Sequence, residues 1–327
     1  MKVKVSDLVK IVQSALIKQG YNRKESEVIG GMLMYAQLRG NNQGVVKLIG
    51  KGIPKNEQAG DIEIIKDTKL SALINGNGNP GALVMKKAMD LALNKALAHG
   101  FGIVGTNHTW TSTGAIGYWA GQIAQKGLIG FVFAGSPETV STYGSYDPIF
   151  GTNPLAIGIP TADEPVVLDM ATAAMAYYGL IEAKTAGKKI PPNTAYDKEG
   201  QVTQDPGKAM DGAIMPFDRS YKGAGLNLIV EILTGPLVGA SFTGIGDTAK
   251  NWGNLIFVID PDLLGGRKQF AKNVTLLIKK VKNTKKLPGV KEIFTPGSRG
   301  NRLSKQRLAA DQIEIEDNLY RELVKVS

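Results

Sequence analysis

The feature that most constrains the fold is a run of alternating strand-like and helix-like segments over residues 71–282. Apolar segments such as 101–106 and 128–135 alternate with a long helical pattern at 81–98. Such alternation is typical of an α/β domain, in which helices cover a sheet. Helical periodicity dominates instead near both ends of the chain. We therefore predict an α/β domain over residues 71–282, and a small all-helical domain formed by residues 1–70 together with the tail, residues 283–327.

Composition narrows the possible chemistry. The 327 residues include no cysteine and two histidines, and the net charge is +10. Without cysteine, disulfide scaffolds, thiolate metal sites and cysteine nucleophiles are excluded, and two histidines do not make a His-rich metal centre. We therefore predict no metal site. The densest basic run, residues 279–286, lacks the interleaved aromatic residues of a nucleic-acid surface and is interpreted as a solvated helix end.

Other partner classes are disfavoured by sequence pattern. No stretch reaches about 18 uncharged apolar residues, the length that would predict a membrane span. The first residues lack the apolar core and cleavage site of a signal peptide. We expect a cytoplasmic protein that binds neither nucleic acid nor membrane.

Several small-residue turns are suited to bringing a ligand close to the backbone. Gly76–Gly81 matches G-x-G-x-x-G, but Pro80 removes an amide donor, and the strand that follows lacks the acidic residue that would hold a ribose. His99 ends a long helix and is interpreted as structural. His108 lies in a polar stretch, 106–114, that follows a predicted strand and is a better candidate for function. Further turns of this kind lie at residues 151–154, 169–173 and 221–225, where Lys222 adds a positive charge.

Five motifs in this order resemble the malate/L-lactate dehydrogenase family. They are FGTNPLAIGIP (150–160), LDMATA (168–173), IPPNTAYDKEG (190–200), SYKGAGLNLIVEIL (220–233) and GPLVGAS (235–241). The resemblance covers essentially the whole chain. It implies a non-Rossmann, nicotinamide-binding α/β domain with a mixed sheet, and a homodimer. It also implies that the G-x-G-x-x-G match beginning at Gly76 is a coincidental turn and not a dinucleotide-binding motif.

The resemblance further implies which residues bind NAD(P)H. These cofactor residues are Gly151, Thr152, Asn153, Asp169, Met170, Ala171, Thr172, Ala173, Lys222, Gly223, Gly297, Ser298 and Arg299. Family members usually carry an acidic residue beside the glycine of the last turn, where a carboxylate holds a ribose diol and repels a 2′-phosphate. Ser298 and Arg299 stand there instead. We therefore predict that NADP is favoured over NAD.

The sequence departs from the family where the substrate should bind. The usual N-terminal Ser-His-Gly loop, with its proton-donating histidine and an arginine four residues later, is Asn42-Gln43-Gly44 here, with Lys47 at the arginine position. Glutamine does not titrate, and lysine neutralises a carboxylate without the bidentate fork of arginine. A second family histidine falls between His108 and Thr111, and the aspartate of the Tyr196-Asp197 turn is kept.

These departures leave the source of the proton open. Lys47, its pKa lowered by burial, is the first candidate, and His108 is the second. Alternatively, Gln43 polarises the carbonyl and water donates the proton. We predict catalytic roles for Gln43, Lys47, His108 and Asp197, and substrate contacts from Asn42, Lys47 and Thr111. The predicted function is an NAD(P)-dependent dehydrogenase that interconverts a small 2-hydroxy acid and a 2-oxo acid. The alternative is a catalytically silent cofactor-binding protein on the same fold.

Overall fold

A seven-stranded mixed sheet is the central element of the computed structural model, which describes residues 1–246 and 251–327. The strand order is β2-β3-β4-β13-β5-β8-β9, and only the β3–β4 pair is parallel within this sheet. The predicted mixed-sheet α/β fold is confirmed. The strands of the described chain are β1 (Lys2–Val3), β2 (Glu63–Asp67), β3 (Ser71–Asn75), β4 (Phe101–Thr109), β5 (Ile129–Ala134), β6 (Val140–Ser141), β7 (Pro148–Phe150), β8 (Leu155–Ile159), β9 (Val166–Met170), β10 (Ala195–Tyr196), β11 (Val202–Thr203), β12 (Ala213–Ile214), β13 (Trp252–Ile259) and β14 (Ile313–Glu314).

Helices cover one face of this sheet. The helices of the described chain are α1 (Val5–Lys18), α2 (Arg23–Leu38), α3 (Gly81–His99), α4 (Gly117–Gln125), α5 (Tyr177–Thr185), α6 (Pro206–Asp211), α7 (Tyr221–Thr234), α8 (Arg267–Lys282), α9 (Ser298–Ala309) and α10 (Asp317–Val326). Helices α3 and α4 lie on the strands, and the core between them includes the fully buried Ile74, Val104, Trp119 and Ile256. Gly102 of β4 permits this packing, because a Cβ there would lie 2.3 Å from the Ala92 carbonyl oxygen of α3.

A small second sheet was not foreseen from the sequence. Five short strands are ordered β11-β10-β12-β6-β7, and with α5 and α6 they enclose a separate core that includes Val140, Leu180 and Ile214. The strands are two or three residues long. Such lengths are too short to show a period of two in the sequence.

The C-terminal tail packs on the N-terminal helices, as the predicted fold requires. Strand β1 pairs with β14, α10 packs on α1, and α9 packs on α2. Strand β2, over Glu63–Asp67, joins the seven-stranded sheet, so strand pairing in that sheet begins before residue 71. The division of the chain into two domains stays a prediction. Within the described residues, no helix is both long and apolar enough to span a membrane.

Candidate active site

A deep cleft of about 1330 Å³ lies between the N-terminal helical layer and the end of the seven-stranded sheet. Its walls come from the end of α2 and the loop that follows, the segment after β4, the ends of β5 and β9, and the start of α9. The charged residues that line it are Arg39, Lys51, Asp169, Glu182, Arg299, Arg307 and Glu314. A cleft of this size, with cations among small and aromatic residues, is suited to an extended anionic ligand.

The loop after α2 is folded tightly under the cleft. Gly44 is required there, because a Cβ would lie 2.3 Å from Oε1 of Gln37. The same Gln37 oxygen accepts a hydrogen bond from the Val45 amide at 3.0 Å. A short 3₁₀ helix, Val45–Leu48, follows, and all four of its side chains are buried. Its apolar residues anchor the turn in the core, and this anchoring carries Lys47 into the interior with them.

Lys47 is a buried cation without an anionic partner among the described residues. Its side chain is 2% exposed, and Nζ donates a hydrogen bond to Ser112 Oγ at 2.9 Å. Nζ also lies 3.4 Å from the centre of the Tyr178 ring, a cation–π geometry. Burial lowers the pKa of Lys47 well below its ordinary value, because the charged form loses its water and gains no counter-charge.

Asp169 is the penultimate residue of β9, and its carboxylate faces the first turn of α4. Oδ2 accepts the Gly117 amide at 3.0 Å, so the carboxylate satisfies one of the free N–H groups at that helix start. Burial raises the pKa of Asp169 to about 6, and the Gly117 hydrogen bond opposes part of that rise. Gly117 has no room for a side chain, since a Cβ would lie 2.7 Å from the carboxylate oxygen. Burial therefore favours the protonated form of Asp169 more than water does.

A buried polar network fixes the turn that contains Thr152. Asn153 is fully buried, and its amide nitrogen donates to Asn227 at 2.7 Å and to Glu231 at 2.5 Å, both on α7. Asn227 in turn donates to the Gly151 carbonyl oxygen at 3.0 Å. Asn153 has a positive φ of 35°, which asparagine tolerates better than most residues. The network leaves Thr152 on the cleft wall.

The start of α9 contributes the cation Arg299 to the cleft. Gly297 takes a positive φ of 79° as the N-cap, and a Cβ there would lie 3.0 Å from the Val167 carbonyl oxygen. The Ser298 hydroxyl donates back to the Thr295 carbonyl oxygen at 2.7 Å, so it is engaged within the turn. Arg299 is exposed and lines the cleft, and it has no hydrogen-bond or ion-pair partner among the residues that the structure describes. The first turn of α9 carries no acidic residue.

The structure brings about half of the predicted site residues to one place. Those that line the cleft are Asn42, Gln43, Thr111, Thr152, Asp169, Met170, Ala171, Ala173 and Arg299. Lys47 lies behind the wall, next to Ser112 and Tyr178. Gly151, Asn153 and Thr172 lie beneath the wall, where the Thr172 hydroxyl donates to the Asn153 carbonyl oxygen at 3.0 Å. Gly297 and Ser298 adjoin Arg299 without lining the cleft.

The other four predicted residues neither line the cleft nor lie directly behind, beneath or beside its wall. His108 was expected in a loop, but β4 runs to Thr109, and the His108 ring contacts the Asn107 side chain at 2.9 Å. Asp197 closes a turn by accepting the amides of Glu199 and Gln201. Lys222 and Gly223 lie in the first turn of α7, where Asp218 accepts the Gly223 amide at 2.9 Å. Their functional roles stay predictions.

Two residues beside Lys47 were missed. Ser112 lies within the polar stretch that the sequence marked, yet nothing in the stretch distinguished it from its threonine neighbours. Tyr178 is the second residue of α5, 131 positions away in sequence from Lys47, and no local pattern pairs the two. Only the tertiary fold places them together.

Comparison with known proteins decides the family. A family model for malate/L-lactate dehydrogenase matches residues 3–324. The chain belongs to the malate/L-lactate dehydrogenase family. An L-sulfolactate dehydrogenase from Methanothermobacter thermautotrophicus is 34% identical, over 100% of this chain and 96% of that relative. A ureidoglycolate dehydrogenase (NAD(+)) from Escherichia coli O157:H7 is 28% identical, over 99% of this chain and 95% of that relative.

Solved structures agree. The structure of sulfolactate dehydrogenase from Methanocaldococcus jannaschii superposes with a TM-score of 0.81 at 30% identity, covering 100% of this chain and 96% of that one. The family and enzyme class predicted from the sequence are confirmed, since these relatives are dehydrogenases that act on hydroxy acids.

Proposed function

We propose that the chain is an NAD(P)-dependent oxidoreductase that interconverts a small 2-oxo acid and the matching 2-hydroxy acid in this cleft. The observation that carries the proposal is Lys47, a buried lysine with no anionic partner among the described residues, which lies directly behind the wall of a cleft in a chain that matches a dehydrogenase family over residues 3–324. An unpaired buried ammonium is costly. A substrate carboxylate arriving nearby would offset that cost, because an opposite charge favours the charged form of the lysine.

The residues of the cleft fit a nicotinamide dinucleotide. The Arg299 guanidinium is free to meet phosphate oxygens, hydroxyls such as those of Ser136 and Thr152 suit a ribose, and the small Ala171 and Ala173 admit a flat ring. When bound, the nicotinamide supplies or accepts the hydride. The chain itself would orient the carbonyl with Asn42 and Gln43, neutralise the carboxylate, and provide the proton.

We further propose that NADP(H) is preferred. Arg299, which has no ion-pair partner among the described residues, lies at the start of α9, where the first turn lacks the carboxylate that would hold a ribose diol. One relative is named as an NAD(+) enzyme. The proposed preference for NADP(H) therefore depends on this chain's own residues and not on that relative.

A homodimer is also proposed. On the face of the main sheet opposite α3 and α4, Phe257 stacks on Phe131, with ring centres 4.5 Å apart, and also faces Phe133 at 5.8 Å. These rings are only half-buried in the single chain. The neighbouring α7 leaves Ile229 53% exposed. An apolar surface of this kind is typical of an interface between subunits.

The test of function is a turnover assay with NADPH and NADH against 2-oxo acids of two to four carbons. The panel should vary the second group among hydrogen, methyl, carboxylate and sulfonate. We expect turnover of at least one acid, and Lys47→Ala should raise its KM, because the positive charge behind the wall would no longer attract the substrate carboxylate. Binding of cofactor without turnover of any acid would favour the silent cofactor-binding protein instead.

A further inference from the structure

Lys47 itself does not form part of the cleft wall. Both groups that its ammonium contacts, the Ser112 hydroxyl and the Tyr178 ring, do line the cleft. An aromatic ring face cannot carry a proton. Among the residues that the structure describes, Ser112 is the hydrogen-bonded partner of Lys47 that also lines the cleft, so a proton passing between Lys47 and a bound ligand would pass through Ser112.

The Ser112 hydroxyl is set up for that route. Its oxygen accepts two hydrogen bonds, from Lys47 Nζ at 2.9 Å and from the Gly114 amide at 3.1 Å. A hydroxyl has two acceptor lone pairs and one proton to donate. With both lone pairs in use, the Ser112 proton has no acceptor among the described residues, and it is left to point into the cleft.

We propose that Ser112 is a catalytic residue that relays a proton from Lys47 to the substrate oxygen. This proposal rests on the proposed function. As hydride from a reduced nicotinamide dinucleotide adds to the carbonyl carbon, the carbonyl oxygen takes the Ser112 proton. The Ser112 oxygen takes a proton from Lys47 Nζ at the same time, which leaves a neutral amine. The sum is 2-oxo acid, hydride and one proton giving 2-hydroxy acid.

The protonation state of Lys47 without a bound ligand also suits the reverse reaction, oxidation of the 2-hydroxy acid. Burial without a counter-charge favours the neutral amine. A neutral amine accepts the Ser112 proton instead of donating one, so the hydroxyl turns from the cleft toward Lys47. A bound carboxylate would favour the ammonium again and turn the hydroxyl back. The protonation state of Lys47 therefore sets the direction of the Ser112 hydroxyl.

The first test needs no turnover. The Lys47 ammonium is followed by nitrogen-15 NMR through a pH titration in the wild type, in Ser112→Ala and in Ser112→Thr. Lys95, whose Nζ lies 2.5 Å from Asp67 Oδ1, serves as an internal reference for a buried but paired lysine. We expect Ser112→Ala to lower the Lys47 titration midpoint, Ser112→Thr to leave it near the wild-type value, and Lys95 to stay unchanged. An unchanged Lys47 midpoint in Ser112→Ala would show that the two groups are not coupled, and would overturn the relay.

The second test is kinetic and compares the same variants with Lys47→Met and with Thr113→Val, which removes a neighbouring hydroxyl that does not contact Lys47. We expect Ser112→Ala to lower kcat by roughly 100-fold or more, as for loss of a general acid, with KM changed far less. Ser112→Thr should restore most of kcat, and Thr113→Val should resemble the wild type. A plot of the wild-type rate against the fraction of heavy water in the solvent should be curved, because two protons move together.

The outcomes separate the two proposals. If Ser112→Ala keeps kcat within about threefold while Lys47→Met loses it, the relay is wrong and the proposed function stands. If the wild type binds cofactor but turns over no 2-oxo acid, the proposed function and the relay both fail. Folding of each variant is checked by circular dichroism, and Ser112→Thr retains the hydroxyl if Ser112→Ala proves unstable.

Discussion

Replacing Lys47 by methionine should stabilise the protein at neutral pH. Methionine keeps most of the length and apolar contacts of the lysine stem but brings no charge into the interior. The ammonium recovers a charged hydrogen bond to Ser112, worth roughly 1.5–3 kcal/mol, and a cation–π contact of about 2 kcal/mol. Desolvation of a buried ion costs several kcal/mol. The lowered pKa of Lys47 indicates that this cost exceeds the contribution of the two contacts.

The free-energy cost of burying Lys47 in the wild type has an upper limit. At pH 7 the lysine can fold as a neutral amine, and surrendering a proton from a group with an ordinary pKa near 10.4 costs at most about 4.6 kcal/mol. Methionine forfeits the hydrogen bond to Ser112, worth about 1 kcal/mol when the amine is neutral. We therefore expect Lys47→Met to raise the free energy of unfolding by about 1–3 kcal/mol at pH 7.

The pH dependence identifies the cause. Between the lowered pKa of the folded state and the ordinary pKa near 10.4, the unfolded chain binds more protons at Lys47 than the folded chain does. Wild-type stability therefore rises with pH in this window relative to Lys47→Met, and the advantage of the variant should fade by about pH 10.

Urea unfolding at pH 7, 8.5 and 10, at one fixed protein concentration, measures the effect. Lys95→Met is the matched control, because Lys95 is buried but has Asp67 and the Thr68 carbonyl oxygen as partners. That variant should gain no stability at pH 7. A Lys47→Met variant that is less stable than the wild type at pH 7, with a difference that does not change with pH, would show that burying Lys47 carries no net free-energy cost.

Four further predictions concern the cofactor, the cleft wall, the core and the assembly. Arg299→Glu should weaken NADPH binding far more than NADH binding in fluorescence titrations, and equal losses would remove Arg299 from the phosphate site. The pKa of Asp169 is raised to about 6 in the folded state, so between pH 4 and 6 the folded chain binds more protons at this residue than the unfolded chain does. The free energy of unfolding of the wild type should therefore fall as the pH rises from 4 to 6, and Asp169→Asn should remove that fall. Parallel curves of stability against pH for variant and wild type would contradict this. Gly114→Ala should cost more than about 2 kcal/mol in urea unfolding, since φ is +76° and the new Cβ would lie 1.8 Å from Met32 Sδ; a loss below about 0.5 kcal/mol would contradict the packing described. Phe257→Asp should shift the molar mass measured by light scattering from dimer to monomer, and an unchanged dimer would place the interface elsewhere.

The long elements of the fold were predictable from sequence because their patterns extend over many residues. Helix α3 has a 19-residue pattern that ends at Gly100 with a φ of 83°, the conformation that glycine favours at a helix end. The small sheet was not predictable, because its strands are held by the loops and helices around them. The end of β4 was misjudged because the polar residues Thr106–Thr109 resemble a loop, whereas their hydrogen bonds to β13 and neighbouring loops extend the strand.

The candidate site was predictable only where a motif names a position. The motifs identified Asp169 and Thr152, and the structure places both on the cleft wall. The motifs could not show that Asn153 lies beneath the cleft wall and fixes the turn that contains Thr152, since its hydrogen-bond partners lie on α7, more than 70 positions away. Lys47 was singled out by its place in the loop, but its pairing with Ser112 depends on how the segment after β4 folds over the 3₁₀ turn.

The most direct test of the central claim is a titration of the purified protein with NADPH and, separately, with NADH, followed by nicotinamide fluorescence. We expect saturable binding, tighter for NADPH, with an affinity that falls when Arg299 is replaced by glutamate. No saturable change with either cofactor up to roughly 1 mM, the upper end of the usual range of enzyme affinities, would contradict it.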